Sequence, residues 1–211
     1  MRAVFVAGVF VAAVTWAGAT AHAATIILPR AGQVGVGVQF QGGGLAQTGQ
    51  LGEEFSTGVG FGSVRLKYRT RYDRGAGVSF ETRRLDGRGM LTTNSAFSRD
   101  TGPDSLAPLT ALTLQTFGAD LYQFFGARTR TQGFLSASGG IAKINAWAKN
   151  GDPVYPIPGD GVYLGVGTGL ERFVYRSWAV DASVRYTAIF LDGSTNHDVQ
   201  LALGMIFYAA Y

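Results

Sequence analysis

The chain has 211 residues, with 31 Gly, 6 Pro and no Cys, 12% aromatic and 15% charged residues, and a formal net charge of +4. Glycine at about twice its usual share, without a strict Gly-X-Y period, excludes collagen, and the 9 Tyr, 14 Phe and 3 Trp exclude a disordered chain. Without cysteine there is no disulfide framework, thiolate nucleophile, Cys-ligated zinc site or acylated-cysteine anchor. The length suits one domain, and the composition leans toward β structure.

Residues 1–23 read as a secretory signal: Arg2, an apolar stretch from Ala3 to Ala13, then small residues ending in Ala21-His22-Ala23. Cleavage there leaves a mature domain of residues 24–211; an uncleaved anchor is the alternative. No later segment offers the roughly 18 consecutive apolar residues of a spanning helix. Losing Arg2 leaves 17 basic against 14 acidic residues, or +3, too mild an excess to argue for nucleic acid. No nucleic-acid partner is expected.

From there on the dominant signal has period two, as in a strand with one apolar and one polar or small face. It predicts eight strands near 31–40, 58–72, 76–85, 109–125, 133–147, 161–174, 178–190 and 197–209. In the first, Val34, Val36, Val38 and Phe40 alternate with Gln and Gly. In the second, Val64, Leu66, Tyr68, Thr70 and Tyr72 alternate with Arg65, Lys67, Arg69 and Arg71, and a change of parity between Phe61 and Val64 predicts a bulge near Gly62. In the fourth, Leu112 and Leu114 share one parity while Ala119 and Leu121 share the other, which leaves its facing open, and that of the fifth with it. The last strand carries Val199, Leu201, Leu203, Met205, Phe207, Ala209 and Tyr211 on one unbroken parity. Short connections (73–75, 126–132, 175–177) alternate with long ones (41–57, 86–108, 148–160). The prolines fall only outside the predicted strands.

An antiparallel sheet of this kind closes either as a soluble barrel, apolar side in, or as a membrane barrel, apolar side out. The polar parity favours the second. Arg65, Lys67, Arg69 and Arg71 would then line the lumen, and Glu81 (beside Arg83), Glu171 and Asp181 (with Arg185) supply inward counter-charges on other strands. Gly35, Gly37, Gly165, Gly167, Gly169 and Gly204 make room for them in a narrow bore. Strand length fits a tilted span, and Tyr72, Phe124, Phe125, Phe134, Phe173, Tyr175, Trp178 and Tyr211 lie beside the short turns or the C-terminus, where an aromatic girdle belongs. Closure pairs every backbone group, as lipid requires. The predicted fold is an all-β, eight-stranded antiparallel up-and-down transmembrane β-barrel.

In this pattern the mature chain resembles the small eight-stranded outer-membrane barrels of the OmpA-domain, OmpX and OmpW type. The resemblance is carried by Pro108-Leu109-Thr110 leading to Leu121-Tyr122-Gln123-Phe124-Phe125, by Ser138-Gly139-Gly140-Ile141-Ala142, by Gly165-Val166-Gly167-Thr168-Gly169-Leu170-Glu171, and by Asp181 to Arg185-Tyr186. It implies an outer-membrane location and contact with outer-membrane lipids and lipopolysaccharide. It also implies that the last strand, with Gly204, Phe207 and the terminal Tyr211, is read by the barrel-assembly machinery. Phe is commoner than Tyr at that terminus, and Ala209 takes a place often aromatic.

Some eight-stranded barrels modify lipid A, and such chemistry needs a general base within reach of a nucleophile. His197 is the only histidine of the mature chain, in Ser194-Thr195-Asn196-His197-Asp198. Residues 197 and 198 of a strand point to opposite faces, which orients a triad poorly, and the His-x-Ser pattern of the deacylases is missing. No enzyme is expected. The acids of the long loops lack calcium-loop spacing, and the Gly-rich strand segments lack the helix of a nucleotide site, so no metal and no cofactor is expected. The lumen has two readings: a structural network of Arg65, Lys67, Arg69, Arg71, Glu81, Arg83, Glu171, Asp181 and Arg185 that fills the bore, or a narrow anion-favouring pathway, because bases outnumber the assigned acids. The first gives a non-enzymatic structural or interaction protein with long external loops. The second gives a narrow passive pore for small or apolar solutes.

Overall fold

The computed structural model describes residues 30–46, 55–57, 60–87, 111–126, 129–147, 160–175, 177–191 and 194–209. The predicted signal segment and Tyr211 lie outside them.

Every regular element among the described residues is a strand. They are β1 (Val34–Leu45), β2 (Phe55–Thr57), β3 (Gly60–Tyr68), β4 (Arg74–Gly87), β5 (Ala111–Phe125), β6 (Thr131–Trp147), β7 (Gly161–Tyr175), β8 (Trp178–Leu191) and β9 (Ser194–Ala209). All pairings are antiparallel. The order runs β2-β4-β3-β1-β9-β8-β7-β6-β5, and a β4–β5 pairing closes the ring. β2 pairs with β4 beyond the end of β3, so the two form one stave of an eight-stave barrel. Closure removes every lateral edge, so the backbone is hydrogen-bonded around the whole circumference.

Alternation sets the two surfaces. In β9 the burial alternates almost without interruption, with Val199, Leu201, Met205 and Phe207 outside and Asp198, Gln200, Ala202, Gly204, Ile206 and Tyr208 inside. The outer face is apolar on every stave: Val36, Leu66, Phe80, Phe117, Ile141, Leu164, Val184 and Leu201 are all exposed. A soluble barrel would bury these side chains. Here the polar parity is buried instead, including Arg69 and Glu171 at 0% exposure. The chain is an apolar-out transmembrane barrel.

Several elements differ from expectation. β1 runs five residues further, through Gly42-Gly43-Gly44 to Leu45, because β9 offers a complete ladder there from Leu201 to Asp198. Glycine's weak strand preference is overridden by a neighbour with unpaired donors and acceptors. The bulge sits at Gly62: Gln39 pairs with Ser63 but Phe40 with Phe61. β5 keeps a single parity, with Leu114, Thr116, Asp120, Tyr122 and Phe124 inside and Phe117, Leu121 and Phe125 outside. Its parity conflict came from Leu114, an apolar residue facing into the bore. β6 follows suit, with Phe134, Ala142 and Ile144 buried and Leu135 and Ile141 exposed.

The predicted girdle divides. Tyr72, Phe125, Tyr175 and Trp178 are exposed, and Trp178 packs on Phe207 at 5.1 Å between ring centroids. Phe124, Phe134 and Phe173 instead point inward and are buried. Together with Tyr122 and Tyr208 they make an aromatic floor across the short-turn end of the bore, in two groups: Tyr122–Phe124–Phe134 and Phe173–Tyr208.

Candidate functional site

Among the described residues, the bore is where the fold gathers acidic and basic side chains out of water. Its buried charged residues are Arg65, Lys67, Arg69, Arg83 and Arg185 against Glu81, Asp120, Glu171, Asp181 and Asp198. Among the described residues that is five basic and five acidic side chains, a formally balanced set.

Glu171 of β7 is the centre of the lower part. It accepts from Lys67 Nζ at 2.8 Å and from Arg69 Nη2 at 2.5 Å, and Tyr208 Oη donates to both its oxygens at 3.0 and 2.9 Å. The two cations also rest on the aromatic floor: Lys67 Nζ lies 4.6 Å from the Tyr122 ring centre, and Arg69 Cζ lies 3.9 Å from that of Phe124. Cation–π contacts of this kind are worth more when desolvated, as here. The floor therefore partly replaces the water that the cations lose.

One level up, Glu81 of β4 takes Arg65 Nη2 at 2.9 Å and also Arg185 Nη1 of β8. Arg83 Nη1 reaches Asp198 of β9 at 2.7 Å. Asp181 accepts from the Gln39 amide rather than from an arginine. In the closed ring β3 lies four staves from β7, and β4 four staves from β8. The Lys67–Glu171, Arg69–Glu171 and Arg185–Glu81 bridges therefore cross the bore between diametrically opposite staves. Opposite walls are tied together through the centre.

Arg71 does not take part. It is exposed, in the turn after β3, because the strand ends at Tyr68 and the chain turns at 70–73 before β4. Asp120, Asp198, Gln39 and Tyr208 join the interior without having been assigned to it. Asp198 and Tyr208 were legible, since they hold the parity opposite to Val199 and Phe207. Asp120 was hidden by the facing conflict of its strand. With Arg71 removed and Asp120 and Asp198 added, the excess of bases that suggested an anion pathway disappears.

Gly204 also lies in the bore: a Cβ built there would stand 2.6 Å from Asp181 Oδ1 and 2.6 Å from the Val38 carbonyl oxygen. Its place in the last strand is thus explained by interior space. Phe207 faces outward.

His197 lies on the opposite face of β9 from Asp198. Its Nδ1 is 2.5 Å from the Tyr186 hydroxyl, and the two rings stack at 5.8 Å. Asp198 is turned inward onto Arg83, so Ser194, His197 and Asp198 do not assemble. Among the described residues no three His, Cys, Asp or Glu side chains are grouped as a metal site.

No protein-family model matches the sequence, and no curated protein matches it. Solved structures do. The crystal structure of Neisserial surface protein A is 17% identical, covers 83% of this chain and 94% of its own, and has a TM-score of 0.53. That of the outer membrane protein OprG from Pseudomonas aeruginosa is 11% identical, covers 88% of this chain and 100% of its own, also with a TM-score of 0.53. At such identities the likeness concerns architecture alone, and it joins the apolar outer face and the closed ring described above. The chain has the fold of the small eight-stranded outer-membrane β-barrels.

Proposed function

We propose that this chain is a non-enzymatic outer-membrane protein, exported by a cleaved signal at 1–23, whose charge-filled lumen braces the barrel and whose long external connections carry a structural or interaction role. The observation that carries this reading is the set of bridges joining opposite staves. Eight staves leave a bore only wide enough for side chains. Here those side chains are paired across its centre, over a floor of five aromatic rings. The balance of acids and bases among the described residues of the interior removes the electrostatic reason for an anion to enter. Lipopolysaccharide and outer-membrane lipids are the partners of the outer wall, and the last strand, ending Phe207 to Tyr211, is the segment offered to the barrel-assembly machinery.

Planar-bilayer recording of the refolded chain tests the braced lumen. No stepwise conductance is expected, provided the inserted protein shows the heat-dependent gel mobility of a closed barrel in SDS. Resolved conductance steps would instead support the narrow pore. The absence of enzymatic chemistry has its own check: His197→Ala should leave the lipid A mass spectrum of the host unchanged. An altered acyl pattern would reinstate catalysis.

A further inference from the structure

The charges outside the bore are sorted by end. In the sequence, the short connections and their flanks (70–74, 126–131 and 172–178) hold six arginines, no lysine and a single acid, Asp73, while the long connections at the other end (41–57, 86–108 and 148–160) hold seven acids against three bases. Among the described residues Arg30, Arg71, Arg74, Arg130 and Arg172 are all exposed at the short-turn end. Asp73 sits 3.8 Å from Arg74, with both side chains about half exposed or more, a separation that offsets little charge.

Position sharpens the pattern. Arg74 and Arg172 share the outward parity of Val78 and of Leu170, so they stand on the lipid-facing wall at the lower margin of the apolar band. The exposed rings of Tyr72, Phe125, Tyr175 and Trp178 mark the same margin. Short turns of such barrels face the periplasm. This collar therefore meets the headgroups of the periplasmic leaflet. A guanidinium is a planar fork that binds phosphate oxygens in pairs, and exposed basic residues near an anionic surface add to one another's attraction.

We infer that the arginine collar is a binding surface for anionic phospholipid headgroups of the periplasmic leaflet. The inference rests on the membrane-barrel reading above and adds to it a lipid class, a leaflet and a set of residues. Recognition is multivalent, through separate arginines around the rim, and is weakened by salt. It leaves the lumen network untouched.

The test uses the full mature chain refolded into vesicles of phosphatidylcholine alone and of phosphatidylcholine mixed with phosphatidylglycerol, with the urea midpoint as readout. The wild type is expected to gain stability in the mixed vesicles, and high salt should erase the gain. R74Q/R130Q/R172Q should keep its midpoint in phosphatidylcholine and lose the gain, whereas R74K/R130K/R172K should keep most of it. A triple Gln variant that responds to phosphatidylglycerol like the wild type overturns the collar. So does binding to cell-wall sacculi that depends on these arginines without any lipid effect. Heat-dependent gel mobility in both vesicles separates the two levels: if it is missing, the barrel reading itself fails and the collar with it.

Discussion

Glu171→Leu should lower the unfolding free energy of the barrel by about 3–5 kcal/mol, the cost of stranding buried charges whose partner has been removed. Glu171 is fully buried and is the only acid bound to Lys67 and Arg69 among the described ion pairs. Its loss also leaves the Tyr208 hydroxyl without its acceptor. Arg69→Leu should cost less, about 1–3 kcal/mol, because Glu171 keeps Lys67 and Tyr208. Replacing all three together, Lys67→Met, Arg69→Leu and Glu171→Leu, should recover much of the loss: the aromatic floor can pack against apolar chains, and buried ion pairs are often no more stabilising than a well-filled apolar core. Urea midpoints followed by gel mobility would measure the series. An unchanged midpoint for Glu171→Leu would refute the bracing role, and strict additivity of the three single changes would refute their coupling.

Val184→Arg is expected to destabilise the inserted barrel by about 2–4 kcal/mol, the cost of an arginine on the lipid face near the bilayer midplane. Val184 lies midway along β8, 44% exposed, between Thr168 of β7 and Leu201 of β9 in register. The same change on a water-facing wall would stay within about 0.5 kcal/mol. Refolding into vesicles at graded urea distinguishes the two. A midpoint equal to that of the wild type would mean that this wall does not face lipid, and the braced interior would then belong to a soluble barrel of inverted pattern.

Much of the fold was legible because a strand's side-chain period is a local property. Val64, Leu66 and Tyr68 against Arg65, Lys67 and Arg69 assign two faces with no knowledge of the neighbours. The same rule failed where an element borrowed stability from its partner, as with the glycines of β1 on β9, or where an inward residue was apolar, as with Leu114. It also misplaced Arg71, since parity alone does not say where a strand ends.

The lumen was legible only as a list of inward residues. Parity put Glu81, Glu171 and Asp181 inside, but it carries no information on height within the bore or on distance across it. Those depend on how the sheet closes and on the register of each stave against the next, which is set by all eight pairings at once. Only that closure brings Glu171 to Lys67 across 104 residues of sequence and Glu81 to Arg185 across another 104, while giving Asp181 an amide instead of an arginine.

By itself, then, the sequence determined where most strands run, the apolar and polar faces of all but the fourth and fifth, and the sorting of arginines to the short connections, because each of these is written in neighbouring residues. Only the tertiary structure decided which charges meet, that acids and bases balance among the described residues of the bore, and that three of the expected girdle aromatics form its floor. Those are relations between residues that share a height on opposite walls, and in a closed barrel height is a property of the whole ring.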